Sequence, residues 1–450
     1  MKKSLRSFLA AKMKRRSLFR RFPAILFSFF IFPYFISSAF AQDKASEMGD
    51  LNSAYKNTIR RIEAVIRQIE ENDPSFYRIE KDFQRSVNDP MQFGTNGLSH
   101  YSSTVNPDVL NFLAKLGFNQ TYYWTRYGEG STIFAESLLG VKYLLSEKDS
   151  VQKPYPARFS RNGITVFENP DAFPIGFSAG EGLVLGTDLY ASDPFEIQNN
   201  IFRSLGGSQD QSLFYQADYA QPRLENLEIV SSGDKIYYKK TDSNADGAII
   251  WDVRIESTDP LYFFLSTPYR GNTDAAEVSV NDGPGEKYLS EDRYGILPLG
   301  RFETGEIVTV KLKLLQPELA LGEARFSHEN IAVLSAFTRE LQQGAVTLQK
   351  VSSSYLTGTV TVPPEDAYLF FSIPFEEGWT IRVDGIKAKP IRLFGALIAV
   401  RVTPGAHSLD LRYRPEQFSA GAVISAGTLV ILIGWILLKK RREAELKRSG

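Results

Sequence analysis

The densest set of side chains able to recognise a ligand lies between Asn88-Asp89-Pro90 and Asn106. It holds Asn96, Ser99, His100, Tyr101, Ser102, Ser103 and Thr104, and Tyr122-Tyr123-Trp124 and Tyr127 follow. Aromatic faces beside amide and hydroxyl groups are the chemistry of a sugar site, combining flat apolar contact with directional hydrogen bonds. Asn96, His100, Tyr101, Tyr123 and Trp124 are therefore the candidate carbohydrate-binding residues. The same residues also suit a polar loop laid over an aromatic core, or a protein contact. No catalytic residue stands out: nucleophile elbow, phosphate loop, dinucleotide fingerprint and metal motif are all missing from the sequence. Glu70-Glu71 and Glu376-Glu377 are adjacent pairs, whereas a hydrolytic pair must face across a sugar. Glu376-Glu377 reads as a solvated loop, Trp379 as a core residue, His407 as structural polarity on a strand, and His328 as a surface residue opening a helix.

Composition narrows the choice. Cys 0 excludes disulfides, thiolate metal sites and cysteine nucleophiles, and with His 3 a multi-histidine metal centre is not expected, so no cofactor is assigned. Lys+Arg 52 balances Asp+Glu 52 over 450 residues, which argues against a nucleic-acid partner. A mean hydropathy of −0.21 describes a largely globular chain with room for several cores.

The balance hides an asymmetry. Residues 1–21 carry nine basic residues and no acid, and residues 439–450 carry six basic and two acidic ones. Each basic block abuts an apolar run. Phe418 to Leu438 is 21 residues long without a charge, and Lys439-Lys440-Arg441-Arg442 follow at once. A helix of that length rises roughly 31 Å, the thickness of a bilayer core. The positive-inside rule then places the C-terminus in the cytoplasm. Gly421, Ser425 and Gly427 leave part of that helix small enough to meet another membrane helix. Phe22 to Ala41 is also uncharged and ends in Ala39-Phe40-Ala41, so residues 1–41 read as a basic segment with a signal peptide or a signal-anchor. Either way residues 42–417 are expected outside the membrane.

Between these runs, residues 42–73 form an amphipathic helix, with Tyr55, Ile59, Ile62, Val65, Ile66 and Ile69 at helical spacing. Residues 74–223 read as a mixed α/β domain, with helices near Pro107–Leu116 and Ser192–Leu205. Beyond it the chain repeats itself. Residues 261–268 read LYFFLSTP and residues 367–374 read AYLFFSIP; Val280-Asn281-Asp282-Gly283 is answered by Arg382-Val383-Asp384-Gly385, and Tyr294-Gly295 by Phe394-Gly395. A repeat of that length with short alternating strands fits two tandem β-sandwiches, jelly-roll or Ig-like, at 224–318 and 346–417. Asp282-Gly283 and Asp384-Gly385 are expected to take the positive-φ positions of hairpin turns. Residues 319–345 supply a linking helix, 418–438 the transmembrane helix and 439–450 a basic tail. The fold class expected is α+β and mainly β.

The tail resembles the C-terminal end of bacterial YfhO-family membrane proteins. The resemblance is carried by Glu377-Gly378-Trp379, Val383-Asp384-Gly385, Gly395, Pro404-Gly405-Ala406-His407 and Tyr413-Arg414-Pro415 ahead of a final apolar helix. Phe76-Tyr77-Arg78, Ser102-Ser103-Thr104, residues 138–145 and Phe167-Glu168-Asn169 fall in the same order. The resemblance implies a GT-C-like glycosyltransferase system acting on wall polymers such as lipoteichoic acid. The multi-span array that such proteins carry upstream, with its acidic catalytic loop, has no counterpart in this sequence, so no catalytic residue is carried over. The expected role is an exterior membrane-anchored module, partnered by the bilayer, a multi-span glycosyltransferase subunit and a cell-wall glycan or teichoic acid polymer. A stand-alone glycan- or partner-binding module and an inactive truncated remnant are the alternatives.

Overall fold

The computed structural model describes residues 48–448, apart from 84, 120–123, 126, 129, 185–186, 188, 270–272, 290–294 and 416. The expected signal or anchor run at Phe22–Ala41, and Tyr123, lie outside the described residues. Two compact units divide the chain, residues 1–70 and residues 71–450. The first is described through its helix, Met48–Asn72, in which Ile59, Ile62, Val65, Ile66 and Ile69 line one stripe among Arg and Glu.

The second unit is mainly β, and its two repeated segments fold alike. Strand Gly247–Arg254 pairs with Ile307–Leu314, which pairs with Ala276–Val280 and then Glu286–Tyr288. The later segment repeats that order: Tyr355–Val362, Gly405–Tyr413, Trp379–Val383 and Ile386–Ala388. Alternation explains the facing. Val308, Val310, Leu312 and Leu314 are buried while Ile307 stays exposed, as a one-sided strand requires.

The apolar repeats LYFFL and YLFFSI behave differently, because their strands are covered on both faces. Leu261, Phe263 and Leu265 join one cluster with Trp251 and Phe326, whereas Tyr262 turns to the central core. Likewise Leu369 and Phe371 join Ile381 and Leu411, while Phe370 turns to that same central core. A strand buried on both sides has no polar alternation to show, which is why these two runs are the most uniformly apolar of the repeat.

Helices Pro107–Lys115, Ile133–Leu138, Pro194–Ser204 and Ile331–Leu341 fill the central core. Asn106, Thr132, Asp193 and Asn330 cap them by accepting backbone N–H bonds, which is the chemistry short polar residues bring to a helix start. Strand Gly176–Ala179 pairs with Tyr368–Phe371, and Phe214–Gln216 pairs with Ser327–Glu329, so both repeats take a strand from the preceding region.

Two expectations are corrected. Asn281 (φ 51°), not Asp282-Gly283, takes the left-handed position in the first repeat, while Asp384 (φ 51°) and Gly385 (φ 78°) take it in the second. Asn281 Oδ1 accepts the Thr309 N–H at 3.0 Å and Asp384 Oδ1 accepts the Ser408 N–H at 2.8 Å. One short acceptor side chain thus locks the same hairpin in each repeat. His328 is not a surface residue: it sits on strand Ala324–Glu329 with 0% exposure, stacked on Tyr215 at 5.4 Å.

Phe418–Arg448 forms one helix, and its segment Phe418–Leu446 is long and apolar enough to cross a membrane, with none of its most apolar stretch buried.

Candidate functional site

The segment read as a sugar site folds around a buried acid. Glu80, 3% exposed, receives the Ser99 N–H at 2.9 Å, the Ser99 hydroxyl at 3.1 Å and the Leu98 N–H. Burial pushes its carboxyl up, against those hydrogen bonds and Lys81. Asn96 is committed to the backbone, with its Nδ2 donating to Tyr77 O at 3.3 Å and its own carbonyl receiving the Ile79 N–H at 2.9 Å. His100 and Tyr101 form a two-residue strand paired with Trp124-Thr125. The Tyr101 N–H donates to Asn88 Oδ1 at 2.7 Å, and the residue is 46% exposed. His100 and Tyr101 thus share one short ribbon with the Trp124 backbone, while Asn96 lies in the loop before it, tied to Tyr77 and Ile79. None of these residues lines the cleft described next.

That cleft lies in the first repeat and has a volume of about 800 Å³. Its lining includes three aromatic residues, Tyr219, Tyr238 and Trp251, beside Ile249, Leu265 and Leu321. Trp251 is 4% exposed and wedged between Phe263 and Phe326, with ring centroids 5.7 and 5.8 Å away. The Tyr219 hydroxyl donates to Ala324 O at 3.0 Å, which fixes its ring, and the phenol is pushed up by burial. Tyr238 is half-buried, and burial alone pushes its phenol up.

A hairpin supplies part of this lining. Leu227–Ser232 and Lys235–Lys240 pair about a turn in which Gly233 has φ 60°, and the second strand pairs with Glu318–Ala320. The hairpin tip brings Asp234, Lys235 and the half-exposed Ile236 to the cleft, which Gln221 and Glu323 also line. Gly322 closes the far wall: its N–H donates to Ser266 O at 2.8 Å, and an added Cβ would stand 2.0 Å from Ser266 Oγ. A lining that mixes aromatic, aliphatic and polar side chains suits a ligand that has both a flat face and hydroxyls. Sequence reasoning missed these residues because Tyr219, Tyr238 and Trp251 lie on three separate strands.

Two buried acids elsewhere brace the core. Glu329 accepts from Tyr262 Oη at 2.7 Å, Ile133 N at 3.0 Å and Phe134 N at 2.5 Å. Burial pushes its carboxyl up to about 7. Glu136 accepts from Ser131 Oγ and Tyr155 Oη, both at 2.6 Å, and pairs with Lys153. A second cavity of about 580 Å³ is bordered by Asp73, Tyr77 and Lys142. There Asp73 accepts from Lys142 Nζ at 2.5 Å and Tyr143 Oη at 2.8 Å. Among the described residues no group of three or more His, Cys, Asp or Glu is placed to hold a metal ion.

The sequence model of a family described as "Bacterial membrane protein YfhO" matches residues 4–425. The chain belongs to the YfhO family. A YfhO relative in Bacillus subtilis (strain 168), an "Uncharacterized protein YfhO", is 23% identical over 476 aligned positions. The alignment covers 96% of this chain and 52% of that protein, so the chain spans about half the length of the curated YfhO relative it matches. Among solved structures, a family 35 carbohydrate binding module from Clostridium thermocellum matches with a TM-score of 0.20 and 12% identity, covering 26% of this chain and 97% of the module. The arabinofuranosyltransferase AftD from Mycobacteria matches with a TM-score of 0.15 and 10% identity, over 39% of this chain and 22% of AftD. Both TM-scores are too low to establish a shared fold. Membership of a membrane-protein family agrees with the one long apolar helix among the described residues.

Proposed function

We propose that this chain is a membrane-anchored extracytoplasmic module of a YfhO-like glycosyltransferase system, and that it assists glycosylation of a wall polymer such as lipoteichoic acid by holding glycan. The observation that carries the reading is the cleft that Tyr219, Tyr238 and Trp251 line together with the polar tip of the hairpin at Asp234 and Lys235. Lys439-Lys440-Arg441-Arg442 after the apolar helix favour a cytoplasmic C-terminus, which leaves the cleft outside. In this reading the bilayer and a multi-span transferase subunit are the partners. The small residues Gly421 and Ser425, four apart on one side of the helix, meet that subunit, and the ribbon of His100 and Tyr101 offers a second contact for polymer.

Isothermal titration of the full chain in detergent with purified lipoteichoic acid tests the binding claim. Binding is expected, and Tyr238→Ala should weaken it by about tenfold, as loss of one stacked ring would. Equal binding by the wild type and by Tyr238→Ala would refute the cleft. Purification in mild detergent tests the partner claim. Recovery of a multi-span protein supports it, and recovery of the chain alone with glycan binding intact favours the stand-alone module.

A further inference from the structure

The last strand of the second repeat, Gly405–Tyr413, is followed after four residues by the apolar helix that begins at Phe418. Two distant segments hold the chain where it leaves the sheet. The Tyr413 N–H donates to Ser354 O at 2.8 Å, and the Arg414 N–H donates to Gly378 O at 3.0 Å. Gly378 is pressed so closely on this exit that an added Cβ would lie 2.3 Å from the Arg414 carbonyl oxygen. The turn at Ser353-Ser354 and the loop ending at Trp379 therefore flank the point from which the helix departs.

Chain length limits how far this rim can stand from the helix. Phe418 N–H donates to Pro415 O at 3.0 Å, a turn that holds residues three apart within about 7 Å. Two further residues back to Tyr413 add at most about 7 Å. Together they set an upper limit of about 14 Å, against a headgroup layer roughly 5–8 Å deep on each side of the hydrocarbon core, so chain length permits seating in that layer and the side chains at the rim decide it.

The side chains gathered there match that layer. Trp379 and Tyr413 pack with centroids 5.2 Å apart, Arg412 lies over the Tyr355 ring at 4.3 Å, and Arg414 lies over Phe418 at 5.6 Å. Val351 is 58% exposed beside the turn, and Ser353 and Ser354 are exposed. Tyr355, Trp379 and Tyr413 are half-buried, with part of each surface facing out. The opposite end of the same sheet is of another character. There Val362 pairs with Gly405, and the adjoining turn carries exposed Pro364 and Glu365 and no aromatic residue. The two ends are roughly 27 Å apart along a nine-residue strand. Trp and Tyr collect at membrane–water interfaces because their rings are amphipathic, and Arg there reaches phosphate while its stem covers apolar surface. Glu377, exposed in the same loop, makes the fit one to the mixed headgroup layer, not to a purely anionic surface.

We propose that this rim, formed by Val351, Tyr355, Trp379 and Tyr413 with Arg412 and Arg414, is a bilayer-seating surface that rests in the lipid headgroups and fixes the height and tilt of the exterior module above the membrane. It rests on the reading of Phe418–Leu446 as a membrane span. The seating sets where the rest of the module is presented, so a polymer attached to lipid meets it at a constant distance from the bilayer.

The absence of native cysteine makes single spin-label sites straightforward. The full chain carrying Ser353→Cys, Glu365→Cys or Ser425→Cys, each labelled with a nitroxide, is reconstituted into vesicles of phosphatidylethanolamine and phosphatidylglycerol doped with a nickel-chelating lipid. Collision with headgroup nickel is expected to be severalfold stronger at 353 than at 365, while the 425 label collides with oxygen in the acyl chains. Equal nickel collision at 353 and 365, with 425 buried in the acyl region, would overturn the seating surface and keep the span. A 425 label that meets neither acyl oxygen nor lipid nickel would overturn the span, and the seating surface with it. All three substitutions replace exposed side chains, so misfolding is not the expected cause of a negative result.

Discussion

Glu329 offers the sharpest thermodynamic test of the core. Its carboxylate is fully buried, at 0% exposure, on strand Ala324–Glu329, and caps the start of helix Ile133–Leu138 through two backbone N–H donors. Burial pushes its pKa from 4.5 to about 7, despite the hydrogen bonds from Tyr262, Phe134 and Ile133 and the field of Lys153. Below about pH 4.5 the folded and unfolded chains both hold the proton. As the pH rises toward 7 the unfolded chain releases it first, so stability is full below the unfolded pKa and is lost as pH passes through the folded one. The shift from 4.5 to about 7 corresponds to roughly 3 kcal/mol lost across that window. Glu329→Gln removes the titration and keeps the volume. Urea unfolding of the full chain in detergent, followed by tryptophan fluorescence between pH 4.5 and 8, should show the wild type losing about 3 kcal/mol more than the variant. Other buried acids whose pKa is raised, Glu80, Asp171 and Asp193, are common to both proteins and cancel in the difference. Parallel pH profiles for the two proteins would refute the reasoning.

Other outcomes follow from single contacts. Gly378→Ala sets a methyl 2.3 Å from the Arg414 carbonyl oxygen, and should cost about 1–3 kcal/mol in thermal or denaturant unfolding. The hydrogen bond from His407 to Asp384, 2.6 Å long, raises the His407 pKa above 6.5, against partial burial. Proton NMR should show that midpoint falling in Asp384→Asn, and an unchanged midpoint would count against the pair. Any stability that His407 contributes is present below its unfolded pKa and is lost as pH rises through the folded one. At Asp73 burial raises the pKa, but hydrogen bonds from Lys142, Ser75 and Tyr143 outweigh it and hold the carboxyl at about 2. Acid unfolding of the wild type should therefore gain a component between about pH 4 and 2 that Asp73→Asn lacks. Solvent screening limits this component to about 1 kcal/mol.

The repeat was legible because its cause is local. Turn residues and short apolar runs recur about a hundred residues apart, and each copy folds with the same strand order. The start of the helix near Ser192–Leu205 was legible for the same reason, because Asp193 stands before Pro194 and its side chain accepts the Phe195 N–H at 2.8 Å. Non-local pairing was not legible. No pattern in Gly176–Ala179 or Phe214–Gln216 announces that each completes a sheet whose other strands lie far along the chain. His328 and Glu329 look like a polar helix entry, but the strand runs through Glu329 and Asn330 is the cap. Asn281 displaced Asp282-Gly283 because Asn tolerates the left-handed region and its amide oxygen meets Thr309. The cleft needed strands from two different sheets to come together before Tyr219, Tyr238 and Trp251 could line one space.

The central claim is that the cleft faces outward while the basic tail faces inward. It is tested most directly by single-cysteine labelling of intact cells with a membrane-impermeant maleimide, in a chain that has no cysteine of its own. Asp234→Cys at the hairpin tip should label in intact cells, and Lys440→Cys only after permeabilisation. Labelling of Lys440→Cys in intact cells, with Asp234→Cys protected until the membrane is opened, would contradict the account.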